Sequence, residues 1–235
     1  MSDRQLPDAV LWDMDGTLVD TEPYWMAAET AVVARHGGTW TQEQGLQLIG
    51  NDLITSARII QEQTGIGGEP ADLVEEILAG VVAQVREHGA PWRPGALELL
   101  GTLRSAGVPC ALVTMSYENF AGAVVQAAPA GSFQEVVTGD QVTRGKPHPE
   151  AYLTAAERLG VDPARCIAIE DSTVGVTAAL ASGARTIAVP LMVEVDAQDT
   201  LSRLRSLEGV DLDLLARILE GEVVDELAAA NRTGR

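Results

Sequence analysis

The chain opens with a short apolar run, Val10-Leu11-Trp12, set between polar residues ending at Asp8 and Asp13. Such a run reads as a strand buried on both faces. Four more follow at Val108–Val113, Glu135–Thr138, Cys166–Ile169 and Thr186–Val189. Between them the apolar period lengthens to that of a helix. Residues 94–105 carry leucines at 97, 100 and 103 and stop at Gly107, and residues 118–128 continue the pattern. Residues 149–159 stop at Gly160, and residues 173–182 sit between Ser172 and Gly183 as caps. Strands and helices alternating at this spacing predict an α/β fold, a Rossmann-like parallel sheet with right-handed crossovers.

Residues 21 to about 90 break the alternation, with only helical patterns. One runs from Pro23 to Arg35, and Thr41-Gln42-Glu43-Gln44 is a capping-box match opening a second. A third covers Asp52–Gln63, and a fourth, Glu69–His88, carries an apolar stripe at Leu73, Ile77, Val81 and Val85. A helical block this long is not an ordinary crossover. It predicts an inserted all-helical domain over 21–90, with 1–20 and 91–235 forming the core. Beyond Asp196 the pattern predicts one to three amphipathic helices packed on the outer face of the core.

Composition narrows the function. Lysine and arginine number 16 against 34 acids, a net charge of −18 with a pI near 4.4. A surface this acidic repels nucleic acid and anionic lipid, so neither is expected as a partner. An anionic substrate then needs local capture by a metal, a lysine or backbone amides. The apolar fraction of 46% and mean hydropathy of +0.08 fit a globular chain. No targeting segment or membrane span is legible, so a soluble, cytoplasmic monomer is expected.

Candidate chemistry falls in four segments, each at the end of a predicted strand, where ligands bind in open parallel sheets. Asp13-Met14-Asp15-Gly16-Thr17 follows the first strand. If that strand continued, the spacing of two would send both carboxylates to one side, and Gly16 then lets the chain turn. Two adjacent carboxylates suit a division of labour between nucleophile and general acid–base. Thr114, with the following amides of Met115 and Ser116, suits phosphate oxygens. Lys146 is presented from a loop stiffened by Pro147 and Pro149. Asp171, with Asp13 and the Asp15 carbonyl, makes a hard oxygen set suited to Mg²⁺.

In this order the four segments resemble the haloacid dehalogenase-like hydrolase superfamily. DMDGTLVDTEP, GKPHPEAY and IEDSTVGVTAALASG carry the likeness, over residues 8–190. The DTEP element and a helical insert after the first motif resemble its sugar-phosphatase and β-phosphoglucomutase branch, in which the insert is a cap. The resemblance implies that Asp13 is the nucleophile forming an aspartyl-phosphate and that Asp15 is the acid–base. It implies that Thr114, Met115 and Lys146 hold the phosphoryl group, and that Asp13, Asp15 and Asp171 hold Mg²⁺ with Glu170 beside them. The implied function is a Mg²⁺-dependent phosphatase acting on a small phosphorylated metabolite, a sugar or polyol phosphate or phosphoglycolate. The alternatives are β-phosphoglucomutase-like transfer and a catalytically silent binding protein. The mutase pattern has a histidine where this chain has Trp25.

Within the cap, Trp25, Trp40, Gly50, Asn51, Asp52 and Arg58 are the residues to watch for substrate. An indole suits a sugar ring and Arg58 a second anion, although both tryptophans also suit a cap core. His36 and His88 suit helix C-termini, and His148 suits loop structure. In the superfamily's sheet order Cys110 and Cys166 flank the first strand about 9–10 Å apart, beyond disulfide reach.

Overall fold

The computed structural model describes residues 5–48 and 51–228; Gly50 lies outside them. Six parallel strands form one sheet in the order β3-β2-β1-β4-β5-β6. They are β1 (Ala9–Trp12), β2 (Cys110–Val113), β3 (Glu135–Val137), β4 (Cys166–Glu170), β5 (Arg185–Ala188) and β6 (Leu201–Arg203). The first five match the sequence pattern. The sixth corrects it: residues beyond Asp196 hold an edge strand before the single helix α9 (Leu212–Leu219). Leu201-Ser202-Arg203 has a single apolar residue and forms no apolar run. Its edge place is held by pairing to β5 and by the Arg203–Asp225 ion pair at 2.6 Å. The expected packing on the core holds for α9, which buries Leu215, Ala216 and Ile218.

Strand parity sorts the core into two layers. Ala9, Leu11, Ala111, Val113, Cys166 and Ala168 pack under α7 (Glu150–Leu159) and α8 (Thr173–Ala181). Val10, Trp12, Cys110, Leu112, Ile167 and Ile169 face α5 (Ala96–Ser105), α6 (Glu118–Ala127) and α9. The two cysteines therefore flank β1 as expected and also point to opposite faces of the sheet. Both are free and buried, and burial pushes each thiol up to about 12.

Between β1 and β2 lie α1 (Glu22–Arg35), α2 (Gln42–Leu46), α3 (Leu53–Thr64) and α4 (Pro70–His88). The capping box forms at Thr41 and Gln44, and Asp52 caps α3 by accepting from Thr55. The α4 stripe is buried as its period requires, with Leu73, Ile77, Val81 and Val85 inward. A methyl at Gly80 would sit 2.9 Å from Cβ of Ala28, so that glycine sets how closely α4 approaches α1. α1, α3 and α4 and the α5–α6 side of the sheet share one continuous apolar cluster.

Candidate active site

Parity also explains the base of the cleft. Asp13 follows β1 on the side of Leu11, and Glu170 ends β4 on the side of Ala168, so both carboxylates face α7. Lys146 enters between them. Its Nζ donates to Asp13 Oδ1 at 2.7 Å, to Glu170 Oε1 at 2.6 Å and to the Val113 carbonyl at 2.9 Å. Burial works against the ammonium, yet Asp13 and Glu170 outweigh it and its pKa is raised. Tyr152, fully buried on α7, donates its phenol to the same Glu170 oxygen at 2.6 Å. The other Glu170 oxygen accepts from the Asp171 amide at 3.2 Å and the Ser172 hydroxyl at 3.4 Å.

Asp13, Glu170 and Asp171 each bring an oxygen into one cluster within 4.8 Å. Three carboxylates around one lysine leave two negative charges in excess. Burial, then Glu170, pushes Asp13 up to about 7, against the pull of Lys146. Burial, then Asp13 and Glu170, pushes Asp171 up to about 9. Oδ2 of Asp13 is buried without a hydrogen-bond partner. Gly16, at φ 85°, brings the turn against Asp171, where a methyl group would collide with the carboxylate. A hard, oxygen-only donor set with an unpartnered oxygen and excess negative charge fits Mg²⁺. Asp13 and Asp171 would hold the ion. Glu170 has both oxygens engaged by protein donors, Lys146 among them.

Asp15 has different partners. β1 ends at Trp12, so the strand does not carry both aspartates to one side. Asp15 Oδ1 accepts from the Thr21 hydroxyl and, at 3.2 Å, from the Trp25 indole N–H; Oδ2 accepts from the Ser116 hydroxyl at 2.8 Å. Its side chain is outside the acidic cluster. Thr114 is buried, and its hydroxyl accepts from the Ser116 amide at 3.0 Å. That amide is thus committed within the loop rather than open to phosphate, because α6 begins only at Glu118.

Above this base lies a cleft of about 190 Å³ roofed by α1–α4. It brings together Asp13, Asp15, Thr114, Met115, Lys146, Asp171, Trp25 and Asn51. Trp25 packs against Phe120 in a T-shaped pair, with ring centroids 5.5 Å apart, and its N–H reaches Asp15. Arg58 is exposed on α3 and outside the lining, and Asp52 is spent as a cap. Trp40 is buried and donates to Glu29 Oε2 at 2.9 Å. His36 pairs with Glu76 on the surface, and His148 accepts from the Glu150 amide.

Sequence reasoning missed Ser116 as a hydroxyl donor, along with Thr21, Tyr152, Glu29 and Arg93. Thr21 and Tyr152 lie inside the motif segments, which was the available signal. Arg93 donates to the carbonyls of Gly16 and Val189, the latter at 2.6 Å, tying the linker before α5 to the first turn of the site. Nothing in the sequence singles it out.

The chain is similar to known proteins in both sequence and fold. The family model of haloacid dehalogenase-like hydrolases matches residues 7–183. Hexitol phosphatase A of Escherichia coli is 38% identical over 194 residues, covering 79% of this chain and 87% of that protein. The crystal structure of CbbY from Rhodobacter sphaeroides in complex with phosphate superposes with a TM-score of 0.80 at 28% identity, over 89% of this chain and 99% of that one. The β-phosphoglucomutase of Clostridium difficile shares the fold, with a TM-score of 0.77 at 21% identity, over 92% and 98%.

Proposed function

The chain belongs to the haloacid dehalogenase-like hydrolase family, and from that premise we propose that it is a Mg²⁺-dependent phosphatase of small sugar or polyol phosphates. The observation that carries the proposal is the Lys146 bridge between Asp13 and Glu170 beside an orphaned Asp13 oxygen. Residues 21–90 serve as the cap and 1–20 with 91–235 as the core. The likeness to a hexitol phosphatase supports the choice of substrate class.

A carboxylate oxygen of Asp13 attacks phosphorus and forms an aspartyl-phosphate, and the phosphorus–oxygen bond to the alcohol breaks. Asp15 gives its proton to the departing alkoxide and takes one from the water that then cleaves the acyl phosphate. Thr21, Trp25 and Ser116 hold the Asp15 carboxylate in one orientation for both steps. Lys146 and the loop carrying Thr114 and Met115 meet the growing charge on the phosphoryl oxygens. A bound Mg²⁺ would be held by Asp13, Asp171 and the Asp15 carbonyl and would offset the repulsion between carboxylate and phosphate. The roof of α1–α4 excludes bulk water.

Trp25 also favours release to water over return to sugar. An indole holds Asp15 without exchanging a proton, so nothing at that position couples proton readiness to sugar binding. A panel of phosphomonoesters, assayed for phosphate release with Mg²⁺, with Ca²⁺ and with excess EDTA, tests the function. Turnover is expected with Mg²⁺ alone. Full activity in EDTA removes the metal from the account, and no release from any phosphomonoester removes the phosphatase.

A further inference from the structure

Glu29 is an unusual residue in its place. It sits on α1, only 6% exposed, in the lining of the cleft, among Leu48, Ala57, Ile60 and Ile77. Oε2 accepts from the Trp40 indole at 2.9 Å, while Oε1 receives no hydrogen bond from any described residue. Gly45 leaves the room it occupies: a methyl there would lie 3.2 Å from Oε2 and collide with Met26. Oε1 is not among the buried atoms left without a partner, so it is open to the cleft rather than sealed in the packing. None of the reaction steps above uses Glu29.

Its position along α1 suggests what it meets. Trp25, one helical turn earlier, reaches Asp15, where the leaving oxygen must lie. Four residues along an α-helix advance about 6 Å on the same face. Glu29 therefore faces the tail of the substrate, several carbons beyond the scissile bond. Lys146, at the base, is the one cation among the described lining residues.

Resting on the phosphatase reading, we propose that Glu29 determines specificity, accepting a hydrogen bond from a distal hydroxyl of an uncharged polyol tail and turning away substrates with a second anionic group. Apolar walls on either side suit the carbon skeleton, and the carboxylate supplies orientation. Trp40 fixes the carboxylate so that Oε1 points to the tail. Burial, opposed by the Trp40 hydrogen bond, pushes Glu29 up to about 7, so the variants are compared at about pH 8.5, where the carboxylate is ionised and only accepts. The reading separates a hexitol phosphate from phosphoglycolate or a bisphosphate, whose far end would meet unpaired acid rather than a cation.

Substitution by glutamine discriminates sharply. With its carbonyl on the Trp40 N–H, the side chain would present an amide donor where an acceptor had been. The kcat/KM values of wild type, Glu29→Gln and Glu29→Met are compared for sorbitol 6-phosphate, phosphoglycolate, phosphoethanolamine and p-nitrophenyl phosphate. The wild type is expected to prefer sorbitol 6-phosphate over phosphoglycolate. In Glu29→Gln that preference is expected to fall by at least about tenfold, with phosphoglycolate improving in absolute terms as the polyol phosphate declines. Opposite movements exclude simple damage to the fold, which lowers both. Glu29→Met, apolar and of similar reach, is expected to lose the polyol preference and carries the test if the glutamine variant does not fold. A ratio unchanged in both variants, or a wild-type preference for phosphoethanolamine, overturns the proposal while p-nitrophenyl phosphate turnover leaves the phosphatase reading standing. A wild type that hydrolyses none of the four overturns both.

Discussion

The floor and the roof of the cleft are built on different principles. The floor is polar and almost fully connected: Lys146, Tyr152, Ser172 and the Asp171 amide account for every oxygen of Glu170, and three donors hold Asp15. The roof is apolar, with Glu29 as its buried carboxylate. A connected polar network tolerates few changes, because each lost partner leaves another group buried and unpaired. An apolar roof can be repacked at modest cost. Chemistry is thus fixed at strand ends, and choice of substrate is left to the helices.

If that contrast is right, substitutions in the floor should be catastrophic and those in the roof selective. The largest effect is expected for Asp13→Asn, which keeps shape but removes the nucleophile. Turnover should fall by at least about a thousandfold with an unchanged circular dichroism spectrum. Activity within tenfold of wild type would break the comparison at its base. Lys146→Met is expected to cost about 3–5 kcal/mol of stability in urea melts, because Asp13 and Glu170 lose the charge between them. A loss below about 1 kcal/mol would show that Lys146 does not hold the floor together.

In the roof, Glu29 gives a pH signature. Its folded pKa of about 7 lies above the ordinary 4.5, so the folded state holds its proton more tightly than the unfolded chain. The stability this contributes is fully present below pH 4.5 and is lost as pH rises through 7. Its full span is about 3 kcal/mol. Glu29→Gln should flatten the stability profile across that window relative to wild type; parallel profiles would mean the carboxylate is not desolvated. The smallest effect is expected for Trp25→Phe. Two donors to Asp15 remain, so kcat should fall only several-fold, on the order of 1 kcal/mol, with a shift in the pH–rate profile.

The same contrast explains what could be read from the sequence. Asp13, Asp15, Lys146 and Asp171 were legible because each lies just past a strand or in its loop, where local order and topology agree. Parity alone places Glu170 on the Lys146 side once β4 is recognised. The roof was not legible. Glu29 and Trp40 meet through packing between helix and loop, and no spacing encodes that contact. Arg58 looked suitable by charge but follows the exposed side of α3. For Trp25 the sequence leaves a sugar-facing and a cap-core role open, and neither anticipates that its place on α1 brings its N–H to Asp15. Ser116 was read for its amide, but the Thr114 hydroxyl takes that amide and leaves the hydroxyl for Asp15. β6 escaped because Leu201-Ser202-Arg203 has a single apolar residue and forms no apolar run.

The central claim is that Asp13 carries the phosphoryl group between alcohol and water. Acid quench during turnover of a phosphomonoester with Mg²⁺, followed by peptide mass mapping, measures it directly. The expected result is a phosphoryl group on the peptide holding Asp13, reducible by borohydride as an acyl phosphate and absent from Asp13→Asn. A phosphoryl group found instead on another residue, or none at any time during turnover, would contradict the account.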